Sequence, residues 1–394
     1  MRRKALAGSR GAFLGALLTI TLCGAAHSAA TPDVEEARVP TAREAMPTLF
    51  ATDVAELGDL RAFALENPAA CSDRSERLIG SLFYLDAAKQ QQGRAATHAL
   101  DDRPLYWTRL ASLASHRLRC PDHERERQAF ERASRGLDRL HYSDDSALRV
   151  LVTGFDPFFL DRDVTQSNPS GVAALHMATR NAVVGGQRVE IRSAIVPVRF
   201  RDFDEGLVEE QLVPLAIEHD VDLLITISMG RDEFDLERFP GRRRSAEAPD
   251  NRNVLTGASA SDPRVPPLRD DALVGPEFVE FTLPAAAMTR GEGRWPVNDN
   301  RTVTTLEAGT LEAASLAELE GQTAVRGGGG GYLSNEISYR VLNALRNQGA
   351  AHIRSGHIHT PRLRGHDGPT VTAIAAQTEA LVLRAADALL RERR

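Results

Sequence analysis

The stretch Val150-Leu151-Val152-Thr153-Gly154 decides the fold class of this sequence. Four β-branched or apolar residues before a glycine predict a short, buried strand. A helix is expected from about 170 to 181, followed by a second strand over 189–198. A helix over 205–219, broken near its middle by Pro214, and a third strand over 221–227 come next. Because such alternation builds βαβ units, the sequence predicts an α/β fold with three layers, α/β/α, around a twisted mixed sheet.

The part of the chain before this strand is helical in character. Apolar residues between Leu78 and Leu85, and again between His123 and Leu140, recur at the spacing of a helix face. The polar run 141–146 reads as a linker. We therefore predict a small helical accessory domain over 31–146, followed by the α/β domain over 147–394.

The N-terminus has the pattern of an export signal. Residues 2–4 are basic, residues 12–26 are apolar and uncharged, and small residues follow at 28–30. The apolar run is shorter than the roughly 20 residues that span a bilayer. We predict a signal peptide over 1–30, no stable membrane span after its removal, and a periplasmic or secreted protein. A retained anchor is the alternative.

Two cysteines, Cys71 and Cys120, would remain after the signal is removed. In an exported protein, an even pair favours a disulfide. Two unpaired thiols are the alternative.

The composition is that of a soluble globular protein, with 42% hydrophobic and 26% charged residues. The formal net charge is −6, whereas binding to nucleic acid favours a basic face. We therefore predict that nucleic acid is not a partner.

Residues 239–326 are rich in Pro, Gly, Arg and Asp and contain only short apolar runs. A long segment without regular structure usually has a function or moves. This segment is therefore a candidate cover for a substrate cleft. After it, the spacing of Ala, Leu and Val predicts a C-terminal helix over 369–394.

Three residues of the second half have local settings that suit chemistry. Ser334 follows the five glycines 327–331, His359 ends a short apolar run, and Glu237 follows a predicted strand. Active groups of α/β sheets gather beyond the carboxyl ends of strands, so we place Glu237 and His359 on one rim. A hydroxyl, an imidazole and a carboxylate together indicate nucleophilic acyl transfer. The alternatives are a helix N-cap for Ser334, a surface acid for Glu237 and a structural role for His359.

From about residue 148 onward, the chain resembles the pyroglutamyl peptidase I, or pyrrolidone-carboxylate peptidase, family. The resemblance rests on an ordered set of short motifs over roughly 245 residues, and it implies the predicted α/β fold. It does not reach residues 31–145. The matching positions are Thr153-Gly154-Phe155-Asp156-Pro157-Phe158, Asn168-Pro169-Ser170, Val196-Pro197-Val198, Gly230-Arg231, Glu237-Arg238, Ala246, Pro249, Asp250, Asn251, Gly330, Tyr332, Asn335, Gly356, Ile358, His359 and Pro361.

The resemblance implies a catalytic triad of Ser334, His359 and Glu237, in which Ser334 replaces the family's cysteine. It also implies a set of substrate-binding residues. Ordinary core packing is the alternative for the phenylalanines of that set, and helix capping for its asparagine. The set is Phe155, Phe158, Asn168, Ile227, Tyr332 and Leu333.

Other departures from the family also concern the pocket. Ile227 and Met229 replace a glutamine and a glycine, and Glu247 replaces an arginine. Loss of the glutamine should weaken discrimination for a polar lactam. Glu247 would repel an acidic ligand if it pointed inward. The serine itself suits an oxidising compartment, in which a reactive thiolate would be lost to oxidation.

We therefore hypothesise an exported peptidase or amide hydrolase that removes an N-terminal pyroglutamyl or related group through Ser334. The alternative is a catalytically inactive family member that binds a peptide or a cell-envelope ligand. A metal hydrolase is a third hypothesis, because the sequence brings together His352, His357, His359 and His366. On a strand, however, alternate residues point to one face, so His357 and His359 would supply only two ligands. We predict no metal and no cofactor, and a peptide or small amide as substrate; homo-oligomerisation stays open.

Overall fold

The computed structural model describes residues 33–51, 71–94, 100–120, 122–138, 140–291 and 293–394. The predicted signal peptide lies outside the described residues. Within these ranges the strands, numbered in chain order, are β1 Leu148–Phe155, β2 Asn181–Val184, β3 Gln187–Val196, β4 Leu223–Met229, β5 Phe234–Glu237, β6 Pro267–Leu268, β7 Asp271–Ala272, β8 Val297–Asn300, β9 Thr302–Thr305, β10 Gly309–Glu312, β11 Ala324–Arg326 and β12 Arg354–Thr360.

Seven of these strands form the central sheet, in the order β2-β3-β1-β4-β12-β5-β8. The strands β3, β1, β4 and β12 run parallel to one another, and β5 runs parallel to β8. Two pairs, β2 with β3 and β5 with β12, are antiparallel. The sheet is therefore mixed, as predicted.

Helices cover both faces of this sheet. One face carries the helices Pro169–Met177 and Gly368–Glu392, which pack on residues such as Ile225 and Ile358. The opposite face, which we call the Ser334-helix face, carries the helix Leu333–Asn347 on residues such as Leu224. The predicted three-layer α/β/α fold is confirmed. The remaining α-helices are Val39–Ala45, Pro47–Ala51, Asp73–Arg94, Arg103–Arg119, Glu124–Ala133, Phe200–Asp204, Val213–Glu218 and Ala285–Met288.

The helix expected over 205–219 is divided in the structure. A π-helical stretch, Leu207–Leu212, precedes the α-helix Val213–Glu218, and Pro214 lies in the first turn of that α-helix. A proline is tolerated there because a first-turn N–H has no partner within the helix. The break near Pro214 was therefore predictable, whereas the π-helical stretch was not.

Residues 239–326 contain more regular structure than the sequence suggests. Strand β8 extends the central sheet, and β10, β9 and β11 form a separate three-stranded sheet. Phe239, Phe278 and Val303 lie in a small core beneath that sheet. Strands this short give little periodic signal, which is why the sequence reads as loop.

The helices before β1 pack on the α/β part through an apolar cluster that joins Ile79, Phe83 and Phe130 to Leu175 and Ile195. Cys71 and Cys120 form a disulfide, with Cα atoms 6.2 Å apart. The predicted pairing of the two cysteines is therefore confirmed. Within the described ranges, none of the helices combines the length and the apolarity that crossing a membrane requires.

A buried ion network adds to this contact. Asp156 accepts hydrogen bonds from Arg109 Nη2 at 2.9 Å and from Arg135 Nη1 at 2.6 Å, and all three side chains are buried. Removing one partner of such a network leaves an uncompensated buried charge, which is strongly destabilising. Asp156, although it belongs to the Thr153–Phe158 motif, therefore anchors the N-terminal helices.

Candidate active site

A cavity of about 890 Å³ lies at the C-terminal ends of β4 and β12, beside Met229 and His359. Ser334 and His359 both line it, together with Tyr332 and the glycine run 327–330. Two of the three predicted catalytic residues therefore face one space.

The third, Glu237, lies directly behind His359. His359 Nδ1 donates to Glu237 Oε1 at 2.5 Å, and Glu237 is fully buried. Burial raises the pKa of Glu237 above its ordinary value, and the neighbouring His359 opposes that rise. The carboxylate fixes the imidazole tautomer that carries its proton on Nδ1, which leaves Nε2 free to accept a proton from a substrate or a nucleophile.

Glu237 and His359 lie inside strands rather than on the loops beyond them. Glu237 is the last residue of β5, and His359 is the next-to-last residue of β12. The two strands are antiparallel, with His359 paired to Asp235. A contact between neighbouring strands, and not a common loop rim, therefore brings the pair together.

Close packing of glycines holds this pair in place. A methyl group at Gly230 would lie 2.6 Å from His359 Cβ, and one at Gly328 would lie 2.6 Å from Glu237 Oε2. Contacts below 3.0 Å do not occur in unstrained structures. Glycine at both positions lets the backbone approach the two side chains.

Ser334 is held by the turn between β11 and the helix Leu333–Asn347. In that turn Gly327 and Gly330 exchange backbone hydrogen bonds of 3.0 and 2.9 Å. The Asn335 side chain accepts from Gly241 N at 2.8 Å and donates to Gly241 O at 2.7 Å. These contacts fix the first turn of the helix, and with it the position of Ser334.

Ser334 is the second residue of its helix, and Tyr332 occupies the N-cap. The alternative reading of Ser334 as an N-cap is therefore not what the structure shows. Within the part of the chain that the structure describes, the Ser334 hydroxyl makes no hydrogen bond, either to His359 or to another residue. It lies on the cavity wall, half-buried and free to rotate.

The first turn of this helix supplies candidate oxyanion donors. Tyr332 makes no side-chain cap hydrogen bond, and the bond from Glu336 N to Tyr332 O begins the helical pattern. The N–H groups of residues 333–335 precede that bond and are the open donors of a helix N-terminus. Such groups stabilise negative charge that develops beside them.

A smaller apolar slot meets the large cavity at Ser334. Five of the six predicted substrate-binding residues line it, and Phe158 and Tyr332 border both spaces. Their role in binding stays a prediction. The five are Phe155, Phe158, Asn168, Tyr332 and Leu333.

Asn168 has little capacity left for a ligand. Its Oδ1 accepts from Ser170 N at 3.1 Å, as the helix N-cap, and its Nδ2 donates to Asp156 O at 2.9 Å. The Asn168 side chain is therefore a helix N-cap, as the alternative interpretation of the sequence expects.

Ile227 is the exception among the predicted substrate contacts, and its place in the structure corrects that prediction. Its side chain lies in the core on the opposite face of the sheet, with Ile225 and Ile358, and lines neither space at Ser334. Successive residues of a strand point to opposite faces, so Ser228, not Ile227, faces the slot. The alternation of Ile225-Thr226-Ile227-Ser228 carries this signal in the sequence.

Ser228 is part of a buried polar chain that sequence reasoning missed. His357 Nε2 lies 2.7 Å from Ser228 Oγ, and His357 Nδ1 lies 2.8 Å from Thr226 Oγ1. Burial, and then the nearby His359, lower the pKa of His357 well below its ordinary value. His357 is therefore a neutral histidine that links two hydroxyls, and its ring lies 5.0 Å from that of His359.

Asn300 is a second residue that the sequence did not reveal. Its Nδ2 donates to Glu237 Oε2 at 2.6 Å. It belongs to β8, whose short polar sequence gives no strand signal. Among the described residues, no group of three or more His, Cys, Asp or Glu side chains is arranged to hold a metal ion.

The amino-acid sequence of this chain is similar to one protein family and to one bacterial protein. The family described as "PA0049, C-terminal domain" matches residues 149–304 and 298–364. The uncharacterized protein PA0049 of Pseudomonas aeruginosa PAO1 is 29% identical over 382 residues, which covers 73% of this chain and 69% of that protein.

Solved structures of two peptidases are similar to part of the chain. A mutant pyrrolidone carboxyl peptidase from the hyperthermophile Pyrococcus furiosus is 20% identical, with a TM-score of 0.42 over 61% of this chain and 100% of that one. The pyroglutamyl peptidase I of Bacillus amyloliquefaciens is 21% identical, with a TM-score of 0.41 over 60% of this chain and 95% of that one.

Proposed function

We propose that this chain, which belongs to the PA0049 C-terminal domain family, is an amide hydrolase that uses Ser334 as its nucleophile. The observation that carries the proposal is the 2.5 Å hydrogen bond from His359 Nδ1 to buried Glu237, at the wall of a cavity that Ser334 also lines. A carboxylate that orients a neutral imidazole is what a serine nucleophile requires, because its hydroxyl is not ionised before attack.

In the reaction that we propose, Ser334 Oγ attacks the amide carbon while its proton moves to His359 Nε2. The C–N bond breaks as His359 returns that proton to the leaving amine. Water then attacks the ester carbon, gives a proton to His359, and releases the acid as Ser334 Oγ regains its hydrogen. Glu237 stabilises the imidazolium at each stage.

The substrate we propose is an N-terminal pyroglutamyl or related acyl group. Its support is the apolar slot of Phe155, Phe158 and Leu333 at Ser334, together with the resemblance of the chain to pyroglutamyl peptidase I. Ser228 also lines that slot, and we propose that its hydroxyl hydrogen-bonds a lactam or another polar acyl group. We also propose that the protein is exported, as the sequence over 1–30 indicates.

Hydrolysis of a pyroglutamyl chromogenic amide by the wild type, Ser334→Ala and Ser334→Cys tests the proposal. We expect slow wild-type turnover, none for the alanine variant, and equal or faster turnover for the cysteine variant. Ser315→Ala, at an exposed serine outside both cavities, is the matched control and should keep the wild-type rate. Equal rates for the wild type and Ser334→Ala would refute the nucleophile.

A serine-directed covalent probe separates this enzyme from the alternative, a binding protein without catalysis. Labelling of the wild type that disappears in Ser334→Ala supports an activated hydroxyl. A protein that binds pyroglutamyl peptides but is labelled at no pH would instead be a ligand-binding member of the family.

A further inference from the structure

Five arginines converge on the large cavity from four separate segments of the chain. Arg162 follows β1, Arg231 follows β4, Arg326 ends β11, and Arg362 and Arg364 follow β12. We call these five residues the basic rim. The chain as a whole carries a formal net charge of −6, so this concentration of positive charge is local.

Most of the basic rim has no ion-pair partner among the described residues. Arg231 pairs with Asp235 at 3.0 Å, but no carboxylate among the described residues forms an ion pair with the other four arginines. Arg162 lies over the Phe159 ring at 4.6 Å, and Arg362 Nε donates to the Gly230 carbonyl at 3.4 Å.

Only one carboxylate lines the cavity within the described chain. It is Asp163, and its Oδ1 accepts from the Thr165 backbone and hydroxyl at 2.9 and 2.6 Å. Glu247, the acidic departure that would repel an anionic ligand, is exposed and lines neither space at Ser334.

From this charge distribution we infer that the cavity binds a peptide substrate with several carboxylates on the leaving-group side of the scissile amide. The four guanidinium groups without an ion-pair partner in the described ranges repel one another, and an anionic ligand relieves that repulsion. Arginine is suited to this task because its planar fork binds a carboxylate through two parallel hydrogen bonds.

The geometry at Ser334 assigns the two sides of the substrate. The apolar slot and the basic cavity meet at Ser334, so an amide carbon there has the slot on one side and the basic rim on the other. The slot encloses about 20 Å³, roughly the space of one water molecule, so binding of the acyl group there requires the slot to widen. The acidic residues of the peptide then extend along the rim. The orientation of the peptide in this inference rests on the proposed function, since the nucleophile defines which side of the scissile amide is the acyl side.

Binding to the Ser334→Ala protein tests the inference without any chemistry. The probes are three fluorescently labelled pyroglutamyl peptides that differ only at two positions after the pyroglutamyl group, with Glu-Glu, Gln-Gln or Lys-Lys there. We expect the Glu-Glu peptide to bind at least about tenfold more tightly than the Gln-Gln peptide, and the Lys-Lys peptide to bind most weakly. The Glu-Glu preference should shrink as salt rises, because exposed charges are screened.

Substitutions test whether the arginines of the basic rim cause the preference for the Glu-Glu peptide. Arg326→Ala combined with Arg364→Ala should bring the dissociation constants of the Glu-Glu and Gln-Gln peptides to within about twofold of each other. Arg125→Ala, at an exposed arginine outside the cavity, should leave the preference intact. Equal affinity for the Glu-Glu and Gln-Gln peptides, or a preference that survives the double substitution, would overturn the inference.

An oligonucleotide probes the competing class of ligand. If a short single-stranded DNA displaced the Glu-Glu peptide at equal or lower concentration, the rim would be a general polyanion site and the peptide assignment would be wrong. Failure of the proposed function gives a different result. The wild type would then not hydrolyse the pyroglutamyl amide, whereas the binding constants, which are measured on Ser334→Ala, do not depend on turnover.

Discussion

Asn300 Nδ2 donates to Glu237 Oε2 at 2.6 Å, on the carboxylate oxygen that His359 leaves free. Both oxygens of the buried carboxylate are therefore occupied by donors, one from β12 and one from β8. This arrangement fixes the orientation of the carboxylate and opposes the rise that burial causes in its pKa, because hydrogen bonds to the charged form favour that form.

Asn300→Ala should raise the pH at which activity is lost on the acidic side. Burial already raises the pKa of Glu237, and the Asn300 hydrogen bond opposes that rise, so its removal moves the pKa higher. We expect the acidic limb of the kcat/KM profile to shift upward and the rate at the optimum to fall by about 10–100-fold. Asn298→Ala is the control, since Asn298 also donates to a carboxylate, Asp235, from the same strand; an identical shift in both variants would contradict the role of Asn300.

Glu237→Gln should lower activity and raise stability together. Glutamine cannot stabilise the imidazolium, so we expect kcat to fall by about 10³–10⁴-fold. The pKa of Glu237 is raised above its ordinary 4.5 in the folded protein, so the fold favours the protonated side chain. Glu237 therefore stabilises the fold below pH 4.5, and this contribution is lost as the pH rises through the folded pKa.

Thermal unfolding of the wild type and of Glu237→Gln from pH 4 to pH 8 measures this linkage. The difference should be small at pH 4 and should grow in favour of the variant as the pH rises through the folded pKa of Glu237. A variant that is less stable than the wild type at every pH would show that the His359 pairing outweighs the cost of burying the charge.

The sequence predicted the fold well but the site only in part. The alternation of helices and strands around 150–227 specified a three-layer fold, because buried strands and amphipathic helices leave periodic patterns. Glu237, His359 and Ser334 were recognisable from local motifs. Asn300 and the basic rim were not, since each depends on segments far apart in sequence that only the folded sheet brings together. The prediction that Ile227 contacts substrate was wrong, because a motif comparison does not show which face of a strand a residue lies on. Ser228, the next residue, faces the slot.

Gly328→Ala should reduce activity without a change at any chemical group. The added methyl would lie 2.6 Å from Glu237 Oε2 and 3.2 Å from Glu237 Cβ, so the carboxylate has to move away from Asn300 and His359. A displacement of that kind typically costs about 10²-fold in rate. Gly93→Ala is the control, because no atom lies within 4 Å of a methyl group there. Wild-type kcat in Gly328→Ala would mean that the loop yields instead of the carboxylate.

His357→Gln and His359→Gln should separate a structural histidine from a catalytic one. His357 is buried and neutral between Thr226 and Ser228, so its replacement breaks two buried hydrogen bonds and should cost about 1–3 kcal/mol of stability while kcat stays within about tenfold of the wild type. In the proposed mechanism His359 carries the proton between nucleophile and leaving group, so its replacement should abolish turnover with little loss of stability. Unfolding in urea and turnover, measured on the same preparations, distinguish the two. If His357→Gln abolished turnover in a stable protein, the chain from Thr226 to Ser228 would have to act in the reaction itself, with the Ser228 hydroxyl in contact with the substrate.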